Sequence, residues 1–242
     1  MKTKWKFLDS DGLKIIAVVT MLIDHIGAAL IEGVILQGSA GASYYWYEVD
    51  YVLRGIGRTA FPIFAFLLVQ GFLHTRNRGR YFGRLTLFAL LSEIPFDLAF
   101  HGKLIYTGSQ NVFWTLLIGF LVIWGMRAIV DRIGGGAAAV LSSGLIVAIG
   151  CYAAEALGTD YDMYGVFLIA LFYFGEFVGI SRILTCFVGY LLFLWEPQCI
   201  VGFALLLFYD GTRKKRGRGF QYFFYLFYPV HLLILGLLRV AF

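Results

Sequence analysis

Apolar residues in this chain are gathered into long runs separated by short polar stretches. The runs cover roughly 13–36, 52–73, 82–100, 111–130, 137–157, 161–179, 182–195, 197–210 and 221–241. About 20 mostly apolar residues carry a helix across a hydrocarbon core about 30 Å thick. The pattern therefore predicts an all-α polytopic bundle of about nine membrane segments. The seventh and eighth runs are short and separated only by Glu196-Pro197. They are either two thin spans or one re-entrant hairpin that does not cross. The first run holds Asp24 and His25, and no small-residue cleavage site follows it. It reads as a span and not as a signal peptide. Gly134-Gly-Gly-Ala-Ala-Ala139 reads as a loop running into the fifth span. No internal repeat or interdomain linker interrupts the pattern, so residues 1–242 are expected to form a single integral-membrane domain.

Composition points the same way. Sixty percent of the 242 residues are AVILMFWYC and 14% are charged, against about half and a quarter in an ordinary soluble domain. That balance excludes a soluble enzyme, a disordered chain and a secreted disulfide scaffold. Aromatic residues, at 18%, suit lipid-facing helices and interfacial belts. Cys151, Cys186 and Cys199 sit in apolar runs without metal-ligand spacing and read as small buried hydrophobes. No metal is expected, and no nucleic-acid partner, because the net charge of +5 has a membrane explanation. With the N-terminus inside, nine alternating spans put fifteen of the twenty Lys and Arg in cytoplasmic segments. Those segments hold Lys2, Lys4 and Lys6; Arg76, Arg78, Arg80 and Arg84; Arg127 and Arg132; Arg182; and the cluster from Arg213 to Arg218. Lys103, Glu48, Asp50, Glu155, Asp160 and Glu196 fall outside. Positive charge inside sets orientation, so the expected location is the cell membrane, multi-pass, N-terminus cytoplasmic and C-terminus outside. The Arg213–Arg218 run also suits anionic lipid.

Ionisable side chains within a span are costly and face the bundle interior, a partner or a water-filled cavity. At 1.5 Å per residue, His25 lies roughly 18 Å along the first span, and Glu93 and Asp97 lie about 14 and 20 Å beyond Arg84. Arg58 lies about 22 Å above Leu73, and His231 roughly 15 Å into the last span. All fall between the midplane and the outer half. Each has a plain structural reading: His25 satisfied by a neighbouring helix, one of Glu93 and Asp97, which share a face and repel, protonated or paired with Arg58, Arg54 snorkelling to the outer interface, His231 following the Tyr228-Pro229 break. Asp24 and His25 are adjacent and diverge by about 100° on a helix, which disfavours direct pairing. On the inner side, Arg76, Arg78, Arg80 and Arg84 flank the start of the third span. Arg80 and Arg84 share a face there. Their planar forks and the helix N-terminus suit phosphate; an ordinary orienting charge cluster is the plainer reading.

At these residues the chain resembles the TraX family. The matching stretches are Leu13-Lys-Ile-Ile-Ala17 with Ile23-Asp-His-Ile-Gly27; Arg54-x-x-x-Arg58 with Phe61-Pro-Ile-Phe-Ala-Phe66; Gly71-Phe-Leu-His-Thr-Arg76; Leu91-Ser-Glu-Ile-Pro-Phe-Asp97; Gln110-Asn-Val-Phe113; and Tyr228-Pro-Val-His231. They run through most of the chain and thin out between about 132 and 220. The family in turn is similar to the acyltransferase-3 group of membrane acyltransferases. In that group the first span carries Arg or Lys, ten residues, then His, as Lys14 and His25 do here. The Arg80/Arg84 pair matches the group's acetyl-CoA-holding pair. The expected nine segments are fewer than the ten usual there, and no appended soluble acceptor domain is expected within residues 1–242.

The resemblance implies pilin N-acetylation. Acetyl-CoA is the expected donor, held at its phosphates by Arg76, Arg80 and Arg84 and contacted by Lys14. His25 is the expected general base, supported by Asp24, Glu93 or Asp97. Arg54, Arg58 and His231 are substrate-facing or structural polar residues. The acceptor would be a protein amine, a glycan or a small molecule, met on the outer side, and membrane lipids are the remaining partners. Two other classes stand beside this one: a transporter whose midplane acids and histidines relay protons, and a non-catalytic assembly subunit. The first lacks the repeats common in transporters, and the second leaves the buried polar residues without a use.

Overall fold

All nine apolar runs lie on helix in a computed structural model that describes residues 6–38, 43–212 and 218–242. The helices are α1 (Ser10–Ile26), α2 (Tyr44–Gly57), α3 (Ala60–His74), α4 (Arg78–His101), α5 (Val112–Ile133), α6 (Ala137–Leu157), α7 (Asp162–Val178), α8 (Arg182–Leu191), α9 (Ile200–Leu207) and α10 (Arg218–Ala241). A ten-residue π-helix, Gly27–Leu36, continues α1 without a break. No strand occurs among the described residues, whose extended contacts are isolated bridges. Five helical stretches are long and apolar enough to cross a membrane: Ser10–Leu36, Tyr44–His74, Val112–Ile133, Ala137–Leu157 and Tyr222–Ala241. Helix α4 has 24 residues but is interrupted by Arg84, Glu93 and Asp97. Helix α7 has 17 residues, and α8 and α9 have 10 and 8. At 1.5 Å per residue α9 rises only about 12 Å, too little to cross alone. Lys2, Lys4 and most of the Arg213–Arg218 run lie outside the described residues.

The starts and stops follow local chemistry. Asp9 caps α1 by accepting the Gly12 N–H at 2.7 Å, and Asn111 caps α5 through the Phe113 N–H at 3.1 Å. Asn77 caps α4 through the Arg80 N–H at 2.8 Å. Each cap satisfies a donor that the first turn leaves without an intrahelical acceptor. Helix α6 stops at Gly158, which is left-handed at φ 61°; a Cβ there would meet the Gly108 carbonyl oxygen at 2.9 Å, so glycine is required.

The chain divides into two compact units. The described residues of Met1–Phe64, Leu90–Thr107 and Phe193–Phe242 form one; Ala65–Ala89 and Gly108–Leu192 form the other. Helices α3 and α4 give residues to both.

In the first unit α1 packs on α2 and α10, and the π-helix on α2 and α10. Next to the start of α1, the Phe7 and Leu8 N–H groups donate to the Phe208 carbonyl, Asp210 N–H to Leu8, and Ser10 N–H to Thr212. Beyond the π-helix, Arg239 donates to the Ala99 carbonyl at 3.0 Å and to Gln37 Oε1 at 3.4 Å. The ends of the π-helix, α4 and α10 are thus tied together, opposite the end where residues 7–10 meet 208–212.

In the second unit α5, α6 and α7 pack on one another, and α8 on α7. Its core is aromatic: Phe72 meets Phe120 and Tyr173 edge-on, with ring centroids 5.4 and 5.6 Å apart. A cavity of about 700 Å³ between α5, α6 and α7 is lined almost wholly by apolar and small residues, among them Met126, Gly144 and Phe174.

Candidate functional site

The polar centre of the first unit is built from α1, α2 and α10. Helix α1 presents Asp24 and His25 in its last turn. Close approach of α2 is possible because Gly57 has no side chain: a Cβ there would overlap the Asp24 side chain. Arg54, one turn earlier on α2, then places Nη1 2.7 Å from Asp24 Oδ2. This ion pair was not legible in the sequence, which gave Arg54 a position at the outer interface. Arg58 Nε stands 3.4 Å from Glu196 Oε2, the residue between the seventh and eighth apolar runs. Asp24 and His25 approach despite their angular separation, with Nε2 to Oδ2 at 4.0 Å.

His25 and His231 meet directly. His25 Nδ1 is 2.7 Å from His231 Nε2, the rings nearly parallel at 7° with centroids 5.0 Å apart. His231 Nδ1 is 2.7 Å from the Phe227 carbonyl oxygen, one turn back on α10. The two histidines are 8% and 6% exposed, so the pair is shut off from bulk solvent. Phe100 and Tyr228 stand edge-on to His25, with centroids 5.1 and 5.9 Å away. A buried imidazole pair of this kind, with a carboxylate beside it, can accept a proton from a reacting group and pass it on. Sequence depth singled out both histidines; it could not show that they touch, and it gave no sign of the Phe227 carbonyl.

The other expected residues are distributed as follows. Asp97 is buried and its Oδ2 accepts the Tyr106 N–H at 2.7 Å, which pins the loop after α4. Glu93 is half-buried on the same helix. Lys14 lies near the start of α1, 3.7 Å from Asp11 Oδ1 and 5.8 Å from the Phe224 ring centre. Arg76, Arg78, Arg80 and Arg84 belong to the second unit. There Arg76, Arg80 and Arg84 are exposed around the start of α4. Arg84 lies over the Tyr81 ring at 5.4 Å and Arg78 over Phe72 at 4.7 Å. Exposed guanidinium groups at a capped helix N-terminus form a setting suited to an anionic ligand. Among the described residues no group of three or more His, Cys, Asp or Glu could hold a metal ion.

Comparison with known proteins gives two matches. The family model described as TraX protein matches residues 9–239. The probable fimbrial assembly protein FimC, serogroup H1, of Dichelobacter nodosus is 31% identical over 248 residues, covering 92% of this chain and 92% of its own length. No solved structure matches the chain.

Proposed function

We propose, from the premise that this chain belongs to the TraX family, that it is an integral-membrane acetyltransferase acting on a pilus or fimbrial subunit. It moves acetyl from cytoplasmic acetyl-CoA to an amine or hydroxyl of that acceptor. The observation that carries the reading is the buried His25–His231 contact at 2.7 Å, a proton-handling pair within spans where polar groups are costly. The name of the Dichelobacter relative supplies the assembly context, and the TraX resemblance supplies the acetyl group. Arg76, Arg80 and Arg84 bind the donor phosphates. The N-terminus is cytoplasmic, the orientation that the positive-inside bias favours.

In the reaction, the acceptor nitrogen or oxygen attacks the thioester carbonyl as its proton passes to His25. The C–S bond breaks, the new amide or ester forms, and the CoA thiolate takes the proton back from the imidazolium. Asp24, held by Arg54, lies where it can balance the imidazolium charge.

The same buried pair also suits a proton-coupled transporter, and the donor separates the two readings. Purified protein incubated with labelled acetyl-CoA should bind it saturably and transfer or slowly hydrolyse the acetyl group. Arg84→Ala should weaken binding about ten-fold or more, in line with losing a hydrogen bond to a charged group, while exposed Arg132→Ala should not. Absence of any donor binding would leave the transporter reading.

A further inference from the structure

We propose that His231 is a positioning residue that fixes which nitrogen of His25 is basic. The catalytic consequence rests on the acetyltransferase reading; the proton placement itself does not.

A backbone carbonyl oxygen can only accept a hydrogen bond. The nitrogen of His231 that sits 2.7 Å from the Phe227 oxygen is Nδ1, so Nδ1 carries the proton. A neutral imidazole protonated at Nδ1 has its lone pair on Nε2. That Nε2 is 2.7 Å from His25 Nδ1, so His25 must donate from Nδ1. The opposite arrangement would aim two lone pairs at each other across the same gap. His25 is left with its lone pair on Nε2, the nitrogen on the Asp24 side at 4.0 Å from Oδ2. An isolated neutral histidine side chain holds its proton mainly on Nε2. The backbone of α10 therefore sets the less common tautomer two rings away, through His231.

In the acyl transfer this tautomer places the base. The acceptor N–H or O–H proton goes to His25 Nε2 as the C–N or C–O bond forms. The resulting imidazolium keeps its Nδ1–H donated to His231 Nε2. When the C–S bond breaks, the Nε2 proton passes to the CoA thiolate. His231 gains no proton at any step; it keeps His25 from turning its lone pair away. The role parallels the carboxylate that holds the catalytic histidine of serine proteases in its tautomer, where a tautomer-reversing change costs about 10⁴-fold in kcat.

The test uses the full-length protein, with 15N-histidine, in lipid bilayers. Four histidines are present, His25, His74, His101 and His231, and His74→Gln and His101→Gln assign two of them. In the wild type, His25 and His231 should each show a protonated Nδ1 and an unprotonated Nε2. In His231→Leu, His25 should revert to Nε2–H, and acetyl transfer should fall about 10²- to 10⁴-fold, the worth of a positioned base, with acetyl-CoA affinity unchanged. In His231→Gln, the amide oxygen can still accept from His25 Nδ1, so the tautomer and most of the transfer rate should persist. Finding His25 protonated at Nε2 in the wild type, or protonated at both nitrogens, overturns the proposal. So does an unchanged His25 tautomer in His231→Leu. If His231→Leu does not fold, the wild-type spectrum decides alone. If the tautomers are as expected and the wild type transfers no acetyl, the acetyltransferase reading fails and the positioning remains.

Discussion

The Asp24 carboxylate shows how single residues make a polar group tolerable inside a membrane segment. A lone charge there is costly, and the cost is offset when a partner reaches it. Arg54 does so at 2.7 Å, and only because Gly57 lets α2 close on α1. A Cβ at position 57 would overlap the Asp24 Cβ, an atom fixed to the α1 backbone that cannot swing aside. Gly57→Ala should therefore lower stability by about 1–3 kcal/mol, the usual cost of overpacking. Gly144→Ala, with open space around the new methyl, should leave stability unchanged or slightly raised, since alanine favours helix. Unfolding titrations in micelles compare the two, and equal stability of both variants would contradict the close approach. This residue-level detail was only partly legible. Depth along a helix is readable from residue count, and it singled out His25 and His231, both of which are buried in the structure. Azimuth between helices is not, so the Asp24–Arg54 pair and the His25–His231 contact stayed hidden. The Phe227 carbonyl carries no side-chain signal at all.

At the scale of elements, the apolar runs located helices well because a hydrocarbon-spanning helix needs length and apolarity together. They located spans less well. Helix α2 begins at Tyr44, eight residues ahead of the apolar run, because Tyr44, Tyr45, Tyr47 and Tyr51 extend it as an exposed aromatic face of the kind found at membrane interfaces. The π-helix after His25 has no period that an apolar count can detect. The short α8 and α9 flank Glu196, which is held by Arg58; residues 208–212 hydrogen-bond to residues 7–10. That pairing requires the segment after α9 to lie on the same side of the membrane as the N-terminus. The Arg239 contacts require Lys103, just beyond α4, to lie on the other. In a cysteine-free background, Lys6→Cys and Thr212→Cys should react with an impermeant thiol reagent from one side and Lys103→Cys from the opposite side. Labelling of all three from one face would contradict this arrangement.

At the scale of the whole molecule, the chain carries two chemically distinct settings, a buried histidine pair in one compact unit and an exposed arginine cluster in the other. The sequence distinguished them by charge type and by position along the spans. TraX membership extends over nearly all of the chain, so both settings lie within the part that the family shares. The proposed acetyl transfer gives them separable tasks, donor binding to the arginines and proton transfer to His25. The measurement that tests this division most directly is acetyl-CoA affinity and acetyl transfer by His25→Gln beside the wild type, on folded, purified protein. Glutamine keeps hydrogen bonding and cannot take the proton, so donor affinity should be unchanged while transfer falls about 10²- to 10⁴-fold. A His25→Gln protein that binds donor and transfers acetyl at the wild-type rate would contradict it.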